Sequence, residues 1–120
     1  MEYVITNGKI YTEDKVINHG YLVVKDGKIA EIASGDYTGE LKTYDAQGHD
    51  ILPGFIDIHI HGGYGKDAMD ASEEGLQHLA QNLLSEGTTS FLATTMTQSD
   101  ENVERALLSL IHISEPTRLL

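Results

Sequence analysis

The segment Pro53-Gly54-Phe55-Ile56-Asp57-Ile58-His59-Ile60-His61-Gly62-Gly63 alternates isoleucine with acidic and imidazole side chains, and that alternation leaves few folds open. Successive side chains of a strand point to opposite sides, so Asp57, His59 and His61 share one face and Ile56, Ile58 and Ile60 the other. A His-x-His tripeptide by itself reads as a satisfied pair of strand histidines. The Pro-Gly turn before it and the carboxylate facing the same way favour a strand buried on both sides. Its isoleucines pack outward under helices, and its imidazoles converge where Gly62-Gly63 stops the strand. Two imidazoles on one face are the start of a metal site. The chain has no cysteine, which excludes thiolate sites and a disulfide framework and leaves histidine and carboxylate as the strong ligands.

The period changes after this strand. Gly62 to Met69 reads as a loop, and Ser72 to about Ser85 as a helix with Leu76, Leu79, Ala80 and Leu83 at i, i+3, i+4, i+7 spacing. Ser72 caps it, Glu73 and Glu74 suit the positive end of its dipole, and Gly87 stops it. Ser90–Thr94 is a second buried strand. Asp100 opens a second helix, capped by Ser99, with Val103, Ala106, Leu107 and Leu110 as its stripe. Strand, helix, strand, helix predicts a parallel sheet wound right-handed. Thr94-Thr95-Met96-Thr97 then opens onto the same mouth as the histidines. The Gly62-Gly63-Tyr64-Gly65 loop lacks the spacing and the Lys-Ser/Thr of a phosphate loop, and its glycines let the backbone run close to the metal site. His78 falls on the polar side of the first helix and reads as solvated.

Residues 3 to 50 show short apolar runs, Tyr3–Ile5, Lys9–Tyr11, Lys15–Asn18, Tyr21–Lys25, Lys28–Ala33 and Leu41–Asp45, separated by Asn7-Gly8, Asp26-Gly27 and Gly35-Asp36. They predict a small antiparallel sheet in a scaffold without chemistry, its clearest hairpin at Asp26-Gly27. His19 and His49 fall in turns and read as solvated. Nineteen acidic against eight basic residues, a formal charge of -11, argue against nucleic acid or an anionic membrane as partner. No apolar run approaches the ~18 residues of a membrane span, and the amino terminus shows no leader pattern, so a cytoplasmic location is expected.

Pro53 to Gly62 resembles the Pro-Gly-aliphatic-Ile-Asp-x-His-x-His signature of the amidohydrolase superfamily. Residues His59 to Ser72, with Glu86-Gly87-Thr88-Thr89-Ser90-Phe91-Leu92-Ala93-Thr94-Thr95-Met96-Thr97, resemble its N-acetylglucosamine-6-phosphate deacetylases of the Bacillus type. The resemblance runs from about residue 3 to about residue 107. It implies an α/β fold: part of a small antiparallel β-sandwich domain over 1–52, then the first two strand-helix units of a metal-dependent (β/α)8 TIM barrel over 53–107. Such a barrel needs about 250 residues, so both parts are incomplete in 120. The resemblance further implies one or two divalent metals, zinc, iron or similar, with His59 and His61 as ligands and Asp57 one layer deeper, supporting them. Water activated by the metal would attack the acetyl carbonyl of a phosphorylated amino sugar. The catalytic Asp, a Glu in a His-Leu-Glu-Gly-Pro motif and two further histidines are expected beyond residue 120. No catalytic residue is expected within the chain, which is expected to be inactive alone, and the full-length parent is expected to be a homo-oligomer. Dihydroorotases, hydantoinases and adenine deaminases share the signature through His61, and a non-catalytic relative without metal is the other alternative.

Leu108-Ser109-Leu110-Ile111-His112-Ile113-Ser114-Glu115-Pro116-Thr117-Arg118 resembles the in-frame translation of a transposon-end adapter used in sequencing libraries. Residues 108–120 are accordingly expected to be a non-native tail, and His112 to have no function. The alternative is a genuine helix ending before Pro116.

Overall fold

The computed structural model describes residues 1–114; Glu115, Pro116, Thr117 and Arg118 of the adapter-like stretch lie outside the described residues. The chain forms two compact units, Met1–Pro53 and Gly54 onward.

The first unit is one five-stranded sheet: β1 (Glu2–Tyr11), β2 (Val16–Lys25), β3 (Lys28–Ser34), β4 (Thr43–Asp45) and β5 (Asp50–Ile51). β1, β2 and β3 form an antiparallel meander. Asp26 (φ 50°) and Gly27 (φ 73°) both take the positive φ that a tight hairpin turn demands. The sheet is mixed, however, where an antiparallel one was expected. After Ser34 the chain crosses back and lays β4 and β5 along the free edge of β1 in the same direction. Two expected breaks are also absent. Asn7-Gly8 does not divide two strands: the register slips there while β1 continues, with Asn7 at φ 53°. This is a bulge, which keeps the ladder going at the cost of one unpaired residue. A Cβ on Gly8 would lie 2.2 Å from Ile51 Cδ1, so a larger residue there would require the Ile51 side chain to shift. Likewise Val16–Lys25 is one strand, which places His19 in a strand and not in a turn. Its Nε2 lies 2.7 Å from Asp36 Oδ1 on the exposed surface. Val4, Ile10, Leu22 and Val23 are the buried apolar residues of the sheet.

In the second unit, β6 (Phe55–Ile60) pairs in parallel with β9 (Thr88–Ala93), and the chain between them includes α1 (Glu73–Leu84). Gly62 to Asp70 is not a plain loop. It holds a two-residue hairpin, β7 (Gly62–Gly63) with β8 (Lys66–Asp67), and a 3-10 turn at Ala68–Asp70. Asp67 and Asp70 close that turn reciprocally: Asp67 Oδ1 accepts from Met69 N and Asp70 Oδ2 from Asp67 N. Ser72 Oγ accepts from Gly75 N at 3.1 Å and starts α1. Gly87, at φ 81°, lies just past its end and donates to the Leu84 carbonyl. Leu76, Leu79 and Leu83 form the buried stripe, packed by Ile60, Phe91, Ala93 and Leu110. Ser99 begins α2 (Asp100–Ser114) by accepting from Asn102 and Val103, and Ala106 is fully buried.

The strands are less buried than their alternation predicts. Ile56 is 67% exposed, Ile58 74% and Leu92 61%. β6 has a single paired neighbour among the described residues, and α1 packs on Ile60 at its carboxyl end, so the apolar side chains nearer its start remain open. No helix among the described residues is long and apolar enough to cross a membrane.

Candidate metal centre

His59 lies near the carboxyl end of β6 and His61 directly beyond it. Their side chains converge: Nε2 of His59 is 3.2 Å from Nε2 of His61, and the rings meet edge to face with centroids 5.0 Å apart. Two nitrogens held about 2.1 Å from one tetrahedral ion would lie about 3.4 Å apart, so this pair fits a shared divalent metal. His61 is half-buried and His59 exposed, which leaves the site open on the His59 side.

The neighbouring strand fixes His61. Its Nδ1 lies 3.0 Å from the Thr94 carbonyl at the end of β9. The ladder holds that carbonyl in place, because Thr94 N donates to the Ile60 carbonyl at 2.8 Å. Metal-binding imidazoles characteristically donate their second ring N–H to such an acceptor, which orients the ring. The Thr94 hydroxyl instead donates to Leu92 of its own strand. The backbone of Thr94, not its side chain, does the positioning; a carbonyl has no residue-type signal in a sequence. Asp57 acts locally. Its Oδ1 accepts from His59 N at 3.0 Å and braces the strand between the two positions.

Gly62, directly after His61, is needed for space. A Cβ on Gly62 would sit 2.1 Å from the Lys66 carbonyl across the small hairpin. Tyr64, at φ 53°, donates its phenol to Glu86 Oε1, and that carboxylate raises the phenol above its ordinary pKa. His78 is exposed and pairs with Asn82 on α1, and His49 is exposed ahead of β5 in the first unit. Among the described residues no group of three or more histidine, cysteine, aspartate or glutamate side chains could hold a metal. The two imidazole nitrogens are the convergent donors of the site.

The Amidohydrolase family model matches residues 51–115, more than half of the chain. The chain is 46% identical over 104 residues to an N-acetylglucosamine-6-phosphate deacetylase of Bacillus subtilis (strain 168), covering 83% of this chain and 26% of that protein. With the enzyme of the same name from Lysinibacillus sphaericus it shares 52% identity over 83 residues, 69% of this chain and 21% of that one. The structure superposes on the N-acetylglucosamine-6-phosphate deacetylase of Pasteurella multocida with a TM-score of 0.88 at 30% identity, covering 98% of this chain and 32% of the other. The chain belongs to the amidohydrolase family, and its fold is part of a small β domain followed by the opening strand-helix units of a TIM barrel. It spans about a quarter of the length of the curated relatives it matches.

Proposed function

We propose that the chain is part of a metal-dependent deacetylase that hydrolyses N-acetylglucosamine 6-phosphate to glucosamine 6-phosphate and acetate. The observation that carries the chemistry is the pair of imidazole nitrogens 3.2 Å apart at the carboxyl end of a barrel strand, the end at which such barrels do their chemistry. Identity of 46% and 52% to deacetylases of that name supports the substrate. A divalent ion held there would lower the pKa of a water and polarise the acetyl carbonyl. His59 and His61 would hold it, the Thr94 carbonyl keeps His61 turned toward it, and Asp57 braces the strand behind. The general acid or base and the remaining ligands belong to the parent protein outside this chain. A cytoplasmic homo-oligomer acting on a phosphorylated amino sugar, with neither nucleic acid nor membrane as partner, is the corresponding reading of the whole protein. The test is acetate release from N-acetylglucosamine 6-phosphate by the full-length parent. Turnover of dihydroorotate or a hydantoin in place of that substrate would overturn the assignment.

We infer in addition that the small β domain spans 1–52 and the barrel units 53–107, and that residues 108–120 are a non-native tail. The family match runs to residue 115 and α2 is continuous to Ser114, so neither marks the junction. The Leu108–Arg118 resemblance to adapter sequence supports it. Codons for that stretch in an amplicon from source DNA would overturn it.

A further inference from the structure

We infer that Tyr64 and Glu86 are positioning residues for the histidine pair: the bond between them anchors the tip of the β7–β8 hairpin, and that hairpin holds the backbone of His61. The inference rests on the metal reading above and adds a second hold on His61, through the main chain, where Thr94 holds the ring.

The turn at the hairpin tip is opposed by its own residue type. Tyr64 and Gly65 join β7 to β8, both at positive φ, 53° and 75°, as a two-residue hairpin turn demands. Gly65 adopts that conformation without steric cost, and the hairpin of the first unit places the short Asp26 at the matching position. Tyrosine is bulky, and a bulky residue is disfavoured at positive φ. A backbone held against its preference needs a compensating contact from its surroundings. The phenol supplies one by donating to Glu86 Oε1. That carboxylate in turn raises the phenol pKa, so the donor keeps its proton through the neutral range.

Glu86 is a firm anchor. Its N–H donates to the Leu83 carbonyl at the end of α1, and the carbonyl of Gly87 next to it accepts from Phe55 N at the start of β6. From the tip the hold passes to His61 in short steps. Gly63 pairs with Lys66 and Gly62 with Asp67, and the His61 carbonyl accepts from Ala68 N at 2.8 Å. The hairpin lies against α1, since a Cβ on Gly63 would come within 3.3 Å of Leu79 Cδ1. Ala68, where the returning strand ends, is 1% exposed. Main chain and ring of His61 are thus fixed from two directions, and loss of the tip bond releases the first.

The experiment measures Zn²⁺ affinity of the full-length parent by competition with a chromogenic chelator, in Tyr64→Phe, Glu86→Ala, the double variant and Glu86→Gln. Exchange of the Ala68 amide is followed by NMR in the same proteins after chelation. Tyr64→Phe and Glu86→Ala should each weaken Zn²⁺ binding several-fold, the scale of one lost hydrogen bond. The double variant should lose no more than either alone, because both changes remove the same contact. Glu86→Gln keeps a carbonyl acceptor and should recover most of the affinity lost in Glu86→Ala. The Ala68 amide should exchange faster in Tyr64→Phe, which keeps the ring and its packing. A bond that only braced the fold would lower the urea midpoint and leave Zn²⁺ affinity and Ala68 exchange unchanged; that result, or additive effects on affinity, would overturn the inference. Zn²⁺ bound equally tightly by the His59→Ala, His61→Ala double variant would instead remove the metal reading, and Ala68 exchange would still decide whether Tyr64 and Glu86 hold His61.

Discussion

His61 combines a side-chain role with a backbone anchor, so its loss should be felt twice. In the full-length parent, His61→Ala removes one nitrogen donor and frees the Thr94 carbonyl to water. Bound metal measured by elemental analysis should fall below that of the unaltered protein, and further in the His59→Ala, His61→Ala double variant; metal content equal to the unaltered protein would refute the ligand assignment. Gly62→Ala probes the same corner by steric means. The added methyl meets the Lys66 carbonyl at 2.1 Å, and backbone cannot yield as a flexible side chain does. His61, one residue earlier, should be displaced, and the parent should bind Zn²⁺ more weakly in a titration. Unchanged affinity would show that the hairpin opens without moving the ligand. Asn7 has a quieter part in the first unit. The Gln47 backbone N–H and then the Asn7 amide hold the Asp45 carboxyl below its ordinary pKa. A lowered carboxyl pKa contributes stability that is present above the unfolded value and is lost as pH falls through the folded one. Asn7→Gly keeps the positive φ and deletes the amide, so the Asp45 midpoint should rise, as read by carboxyl NMR titration.

At the scale of elements, α1 shows how a stripe of leucines converts periodicity into stability. Leu79 is 1% exposed and is packed, with Leu76 and Leu83, by Ile60, Phe91 and Ala93. Leu79→Ala should cost about 2–5 kcal/mol, the range for opening a cavity at a fully packed site. Leu84→Ala, at a position 59% exposed on the same helix, should change stability by less than about 0.5 kcal/mol. Urea midpoints of the two variants in the parent protein check the contrast, and equal effects would mean that the helix does not pack as described. Ile60, His61 and Thr94 share this junction, since the Ile60 carbonyl accepts from Thr94 N while the Thr94 carbonyl meets His61 Nδ1. Loosening the packing beneath β6 is therefore expected to loosen the candidate site.

At the scale of the whole molecule, the 120-residue chain is expected to associate when expressed alone, despite its charge of -11. β6 and β9 pair only with each other among the described residues, and Ile56, Ile58 and Leu92 are open to solvent. Such edges recruit further strands from other chains. Light scattering checks this, and a monodisperse monomer that unfolds cooperatively would contradict it. The chain alone is also expected to release no acetate from N-acetylglucosamine 6-phosphate above a free-metal control. Catalytic zinc sites usually hold the ion with three protein ligands, and proton transfer supplies roughly 10²- to 10⁴-fold more. Asp67 and Asp70 cannot supply it here, because both are engaged in capping the turn before α1.

What the sequence determined by itself was local and periodic. The Asp57-x-His59-x-His61 face, the Ser72 and Ser99 helix starts, the leucine stripe of α1 and the Asp26-Gly27 turn all follow from residue type at fixed spacing. Side-chain spacing carries such information because one residue's chemistry and its neighbours' suffice to express it. Partners distant along the chain were decided only by tertiary structure. Asn7-Gly8 carries the residue types of a turn, and it became a bulge because β2 continues opposite it. β4 and β5 could have joined the sheet in either direction, and the crossover after Ser34 made them parallel. The acceptor that orients His61 is a backbone carbonyl from a strand 33 residues away. Every residue has such a group, so nothing in residue identity marks that one, and only the pairing of β6 with β9 brings it to the imidazole.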